Sequence, residues 1–383
     1  MATMKNDESN RSRKLFRLAT IILVMSFLSW SYWGLITLRN SPCGWVNRIG
    51  GSGCLWITPR EIDLGGEKVY FSRDNHYVYF LDEVSVVSKP VETRAMFTRT
   101  KLSPVLSREV YKARGSVPSG IDGFALNLDE MNVVTCMDFQ DSDSNFKGVL
   151  VYHNLDNVNT PDVFIDVERC MFSEMDLIPS SSTATMNSSE NGVSKVLFYD
   201  VMEDTPRTLL GKYWGSCTDN TDSLAVRESD QVISLYSFPS LTKLSEFEFP
   251  SYLRIAQVSP SGNNIFASSS HDSKIFMLDV TTSEIVHIFT NPDCINTETI
   301  SISPNEQFMA AAFTSCVSNH EEISFAREED FVINVWNLQD KTLVEKILLM
   351  RHPFMPLSLD LSSNGKLLAV GTWDYVFIID LTK

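Results

Sequence analysis

Three segments in the last third of the chain can be laid over one another, and this repetition constrains the fold more than any other feature. They are AQVSPSGNNIFASSSHDSKIFMLDVTTSEIVHIF from Ala256, ISISPNEQFMAAAF from Ile300 with FVINVWNLQDKTLVEKIL from Phe331, and LDLSSNGKLLAVGTWDYVFIIDLTK from Leu359. Each opens with an apolar strand that ends in Ser and a turn, at Ser259-Pro260, Ser303-Pro304 and Ser362-Ser363. A second apolar strand, a polar turn and a third strand ending near Asp279, Asn337 or Asp380 follow. Short β-branched and aromatic runs between Ser, Asn, Asp and Gly turns, with little helical period, predict strand rather than helix.

Weaker copies extend the frame backwards: VYFSRDNHYVYFLD from Val69, FALNLDEMNVVTCMDF from Phe124, CMFSEMD from Cys170 and WGSCTDNTDSLAV from Trp214. The turn anchors Ser72, Asn127, Ser173, Thr218, Ser259, Ser303 and Ser362 then stand 55, 46, 45, 41, 44 and 59 residues apart. The phrase and its interval resemble the WD-repeat β-propeller family, and the resemblance covers about residues 54–383. It implies an all-β, seven-bladed propeller, with six or eight blades as open alternatives, and a rigid interaction platform rather than an enzyme. The Gly-His pair that often opens a repeat in that family is missing, and only Trp336-Asn337 and Trp373-Asp374 echo its Trp-Asp ending. Within that family's blades His, Ser/Thr, Asp and Trp hydrogen-bond to one another, which implies structural roles for Ser269, Asp272, Thr372 and Asp374.

The chain stops at Lys383, just after YVFIIDL, which would be the third strand of the last blade and an unpaired edge. The strand-like GCLWIT at Gly53–Thr58 is expected to supply the missing outer strand and close the ring.

Before the repeats, Leu18 to Leu38 form a run of 21 residues without a charge, bounded by Arg17 and Arg39. At ~1.5 Å per residue this helix would span roughly 31 Å, the thickness of a bilayer's hydrocarbon core. Residues 1–17 are therefore expected as a basic cytoplasmic tail, 18–38 as a transmembrane helix, 39–53 as a linker and 54–383 as the propeller. Lys5, Arg11, Arg13, Lys14 and Arg17 precede the run and only Arg39 and Arg48 follow closely, which keeps the N-terminus cytoplasmic and exports the body. A cleaved signal peptide is the rival reading, but the apolar run is too long and no small-x-small site follows it.

The formal charge is −16, and residues 1–41 carry a net +4, so the remaining 342 residues carry −20. Such a body excludes a general nucleic-acid binder, which must neutralise phosphates with a basic surface. With 43% hydrophobic and 21% charged residues the chain is neither disordered nor collagen-like.

Motifs for chemistry are sparse. GGSG at Gly50–Gly53 lacks the spacing and following helix of a phosphate cradle and reads as linker. In the His320-Glu321-Glu322 phrase, Ser324 stands where a zinc protease needs its second His, and the other five histidines are dispersed. Asp141, Asp143 and Asn145 alternate as in a calcium loop, yet Phe146 and Tyr152 occupy the places of its Gly and bidentate Glu, so a solvated hairpin loop is expected. No catalytic, cofactor or metal residues are assigned.

Seven cysteines show no CxxC pair. Cys43 and Cys54 flank a Gly-rich loop and are the candidate disulfide, with burial as small apolar residues expected for the rest. SSSTATMNSSENG at Ser180–Gly192 reads as a low-complexity loop whose Asn187-Ser188-Ser189 is a glycosylation acceptor in a eukaryotic secretory pathway. The insertion from Thr314 to Asp330 interrupts the sixth repeat and carries net −4 over residues 320–330. Loops carry function on a rigid scaffold, so Glu321, Glu322, Glu328, Glu329 and Asp330 are the candidate contacts with a protein partner of basic character. The rival expectation is a ligand-binding or catalytic site in the axial channel, signalled by carboxylates or histidines at the channel mouth.

Overall fold

The computed structural model describes residues 223–316, 330–349, 356–372 and 376–382 continuously and, before them, the strands named here with a few adjoining residues. Strands β1 (Val46–Arg48) and β2 (Cys54–Ile57) come first. The first sheet comprises β3 (Val69–Phe71), β4 (Tyr77–Asp82), β5 (Ser85–Pro90) and β6 (Thr100–Lys101). The second holds β7 (Gly123–Leu126), β8 (Asn132–Gln140), β9 (Phe146–Asn154) and β10 (Val163–Val167). In the third are β11 (Met175–Leu177), β12 (Thr183–Glu190), β13 (Val193–Asp200) and β14 (Arg207–Leu210). Next come β15 (Lys212–Tyr213), β16 (Ser223–Arg227), β17 (Val232–Ser237) and β18 (Lys243–Glu248). The fifth is β19 (Leu253–Val258), β20 (Asn264–Ser269), β21 (Lys274–Asp279) and β22 (Glu284–Thr290). The sixth is β23 (Asn296–Ile302), β24 (Phe308–Cys316), β25 (Asp330–Asn337) and β26 (Thr342–Leu349), and the last begins with β27 (Pro356–Leu361), β28 (Leu367–Thr372) and β29 (Val376–Asp380). Every pairing is antiparallel between sequence neighbours, apart from those of β1 and β2.

These two N-terminal strands decide how the chain closes. β2 pairs with β29, with Cys54 opposite Ile379 and Ile57 opposite Phe377, so the edge of YVFIIDL is covered by the segment expected to cover it. β1 lies within 39–53, expected as linker, and adds a fifth strand to the sixth sheet by placing Val46 opposite Leu349 and Arg48 opposite Ile347. The run 18–38 lies outside the described residues; among those described, no helix is long and apolar enough to cross a membrane.

The core lies between sheets. Val134 and Leu150 of the second meet Met175 and Met186 of the third, and Phe198 of the third meets Leu224 and Phe238 at the fourth. Phe249 and Phe276 join the fourth to the fifth, Phe289 and Trp336 the fifth to the sixth, and Ile347 and Phe377 the sixth to the seventh. Val69 and Val78 of the first sheet pack on Ala369 and Ile378 of the seventh, which returns the ring to its start. A sheet with apolar residues on both faces is stable only between two neighbours, so each blade is held by the next.

The repeated Ser has a local cause. In the turns after β19, β23 and β27 the hydroxyl oxygens of Ser259, Ser303 and Ser362 accept from the N–H groups of Asn264, Phe308 and Leu367 at 3.1, 2.9 and 2.9 Å. The carbonyls of the same serines accept from Gly262, Glu306 and Gly365, each at 2.8 Å. Those three residues have φ of 77°, 55° and 66°, the left-handed region that glycine enters most freely. The apolar periodicity therefore marks the strands, and Ser with a left-handed residue three places on marks each turn.

The third sheet corrects two expectations. Ser173 precedes its inner strand β11, and Thr183–Glu190, expected as a low-complexity loop, is the second strand β12. The composition hides a period of two: Ala184 and Met186 join the core while Thr183, Thr185 and Asn187 are buried on the other face. Thr183 donates to Asp200 Oδ2 at 2.8 Å, Thr185 donates to the Asp176 carbonyl at 3.3 Å, and the Tyr152 hydroxyl accepts from the Ala184 N–H at 3.1 Å. Partnered polar side chains cost little to bury. Asn187 is therefore no loop acceptor for a glycan; its side chain is inside the fold.

Candidate interaction face

Because strands alternate in direction, each sheet has two unlike ends. The first and third hairpins fall at one end, here called the turn end; the second hairpin and the link to the next sheet fall at the other, the linker end. The acidic insertion is the second hairpin of the sixth sheet and so leaves from the linker end.

The insertion is shorter than the sequence suggested. Thr314–Cys316 belong to β24, and Asp330 opens β25 opposite Cys316. Glu321, Glu322, Glu328 and Glu329 lie outside the described residues. The base of the hairpin is held by a disulfide that spacing did not reveal: Cys316 is bonded to Cys294, in the link before β23. Cys136 is disulfide-bonded as well. Cys136 and Cys294 are buried, as expected, and Cys316 is partly buried, but all three are disulfide sulfurs and not free thiols. Cys43 lies outside the described residues, so its pairing with Cys54 does too. Antiparallel pairing of β23 with β24, which sets Asn296 opposite Thr314, brings the two cysteines together.

Beside this disulfide the polar groups pair off. Glu298, whose side chain is 9% exposed, binds the Arg254 guanidinium of the neighbouring blade and accepts from the Thr314 hydroxyl at 2.7 Å. Lys346 Nζ donates to Asp293 Oδ2 at 2.7 Å. Two large side chains stand out from the same end: Ile295 at 52% exposure and Tyr252 at 51%, the latter edge-on to His271 with ring centroids 5.8 Å apart. Ser269 and Asp272, assigned structural roles by resemblance, sit here too. Burial would raise the Asp272 carboxyl, but hydrogen bonds from Lys274 and Ser269 hold it below the usual value. Thr372 is fully buried, and Asp374 lies outside the described residues.

A second polar group gathers on the inner strands. Tyr70 on β3 is held protonated by burial and by the charges of Asp176 on β11 and Asp360 on β27. Asp360 Oδ2 accepts from the Phe71 N–H at 2.6 Å. Burial pushes this carboxyl up to about 7, against the opposing pull of the Phe71 and Leu361 N–H groups. Asp360 has one sequence signal, a carboxylate between the core residues Leu359 and Leu361 of an inner strand.

His271 packs on Tyr252, and His287 stands edge-on to Phe289 with ring centroids 4.5 Å apart. Among the described residues no group of three or more His, Cys, Asp or Glu is placed to hold a metal ion. Asp141–Asn145 connect β8 to β9, with Gln140 opposite Phe146, as the hairpin reading expects.

No protein-family model matches the chain, and no curated protein does. Among solved structures, the crystal structure of the β-propeller domain of Myceliophteria thermophila Cps50 (Swd1) is similar over 85% of this chain and 99% of that one, with a TM-score of 0.57 and 13% identity. At that identity the likeness carries the fold and nothing of the function: this chain folds as a β-propeller.

Proposed function

We propose that the chain is a single-pass membrane protein whose seven-bladed, WD-repeat-like propeller lies on the non-cytoplasmic side and binds a protein partner without chemistry of its own. The Cys294–Cys316 disulfide and the bonded Cys136 support export, because disulfides persist in oxidising compartments and are rare in the cytosol. The positive-inside bias of residues 1–17 points the same way.

The observation that carries the binding reading is the covalent clamp at the base of the acidic hairpin. Glu321, Glu322, Glu328, Glu329 and Asp330 follow Cys316 in sequence, and Cys316 is tied to Cys294, so the acidic segment begins at a covalently fixed point and its charge suits a basic patch on a partner. Replacing the five acids with Ser or Asn is expected to slow association, and raised salt to weaken it, with thermal stability within about 0.5 kcal/mol. Affinity purification from solubilised membranes, with the anchor intact, supplies the partner for this assay. Association unchanged by both salt and the variant overturns the reading.

The convergence of Tyr70, Asp176 and Asp360 favours a second reading, a ligand-binding or catalytic site in the axial channel. Reproducible turnover abolished by Asp360→Asn would put this reading first.

A further inference from the structure

The direction of β1 bears on which end of the propeller borders the membrane. β1 runs antiparallel to β26 with Val46 opposite Leu349, the last residue of that strand. β26 runs from the turn end to the linker end, so the chain before Val46 reaches the ring at the linker end. Seven residues, Arg39 to Trp45, separate Leu38 from Val46. Fully extended they reach at most about 25 Å. The eight residues of β26 are themselves about 26 Å long. A propeller turned over, with its turn end against the lipid, would use the whole tether to descend one strand and leave none to reach the bilayer.

Resting on the proposed anchor at 18–38, we propose that the linker end faces the bilayer and that Tyr252 and Ile295 contact a zwitterionic phospholipid surface. Both side chains are exposed at that end. A Tyr ring is suited to the headgroup layer, where one side is apolar and the other wet. Arg254 is matched by Glu298 and Lys346 by Asp293, and the acidic insertion leaves from the same end, so this end lacks the excess of basic groups that an anionic surface would require. The apolar contact resides in two side chains and the anchor supplies the attachment. One consequence is that a partner bound at this end is held close to the membrane.

The test uses the full chain in phosphatidylcholine nanodiscs. A fluorescent amino acid is placed at position 292, in the link before β23, or at position 339, in the third hairpin of the sixth sheet, and lipids carry a headgroup quencher. Quenching at 292 is expected to exceed that at 339 several-fold. Equal quenching or the reverse order overturns the orientation. The Tyr252→Ser, Ile295→Ser double variant is expected to reduce quenching at 292 about twofold, and an unchanged value overturns the lipid contact. Alkaline extraction of cell membranes carrying the full chain separates the two ideas: release of the chain removes the anchor and this proposal with it, whereas retention with reversed quenching in the nanodiscs removes this proposal alone.

Discussion

Replacing Gly365 with Ala tests how neighbouring blades interlock at the turn end. Gly365 has φ of 66°, and a Cβ built there falls 2.2 Å from Phe308 Cδ2 and 2.7 Å from Cε2, in the adjoining blade. Carbon atoms in contact normally stand ~3.5–4.0 Å apart, so the ring must move by more than 1 Å, roughly the gap between those distances. Phe308 is partly buried against the core shared by the sixth and seventh sheets, which limits where it can go. The left-handed backbone costs an Ala about 1–2 kcal/mol, and overpacking adds about 1–3 kcal/mol, giving a loss of about 2–5 kcal/mol. Glu306 holds the equivalent position one blade earlier with φ of 55°, and its carboxylate accepts from the Ser261 N–H of the fifth blade. A side chain is therefore tolerated where there is room. The assay is chemical denaturation of the purified full chain followed by Trp fluorescence, Trp336 being buried. In a Phe308→Ala background the same substitution should cost only the backbone share, a coupling of about 1–3 kcal/mol. Equal costs in the two backgrounds would refute the interlocking argument, and a cost below about 1 kcal/mol in the parent would refute the backbone argument too.

Asp360 gives the chain a pH signature. Its folded value of about 7 lies above the ordinary 3.8, so its contribution is full below about pH 4 and is lost as pH rises through about 7. Asp360→Asn should flatten that decline and leave the chain more stable above pH 7 by a few kcal/mol; denaturation midpoints between pH 4.5 and 8 that keep the parent slope place the proton elsewhere. Cys294→Ser should cost about 3 kcal/mol for a loop of 22 residues, read as a lower thermal midpoint without reductant; with reductant present the parent and variant should coincide, and a persistent difference assigns the loss to packing. Deleting Cys54–Ile57 should expose the β29 edge and cause aggregation on light scattering, whereas a monodisperse product with the parent's melting temperature overturns closure through β2.

The repeated phrase determined strands, turns and their order by local physics. Ser259, Ser303 and Ser362 close their turns with their own hydroxyls and carbonyls, and the apolar runs on either side alternate or fill as half-buried and buried strands must. Closure was legible too, because the apolar edge of YVFIIDL demands a partner and Cys54–Ile57 was the segment suited to supply one. Thr183–Glu190 escaped because small polar side chains mask a period of two until Asp200 and the Asp176 carbonyl are there to satisfy them. Cys294–Cys316, the Tyr70–Asp176–Asp360 group and the addition of β1 to β26 join residues or strands far apart in the chain, and spacing along one strand holds no record of such distances. The sequence by itself thus determined what each segment becomes; the assembled sheets determined which segments meet, because strand pairing within a sheet and stacking of one sheet on the next bring together residues that no local pattern links.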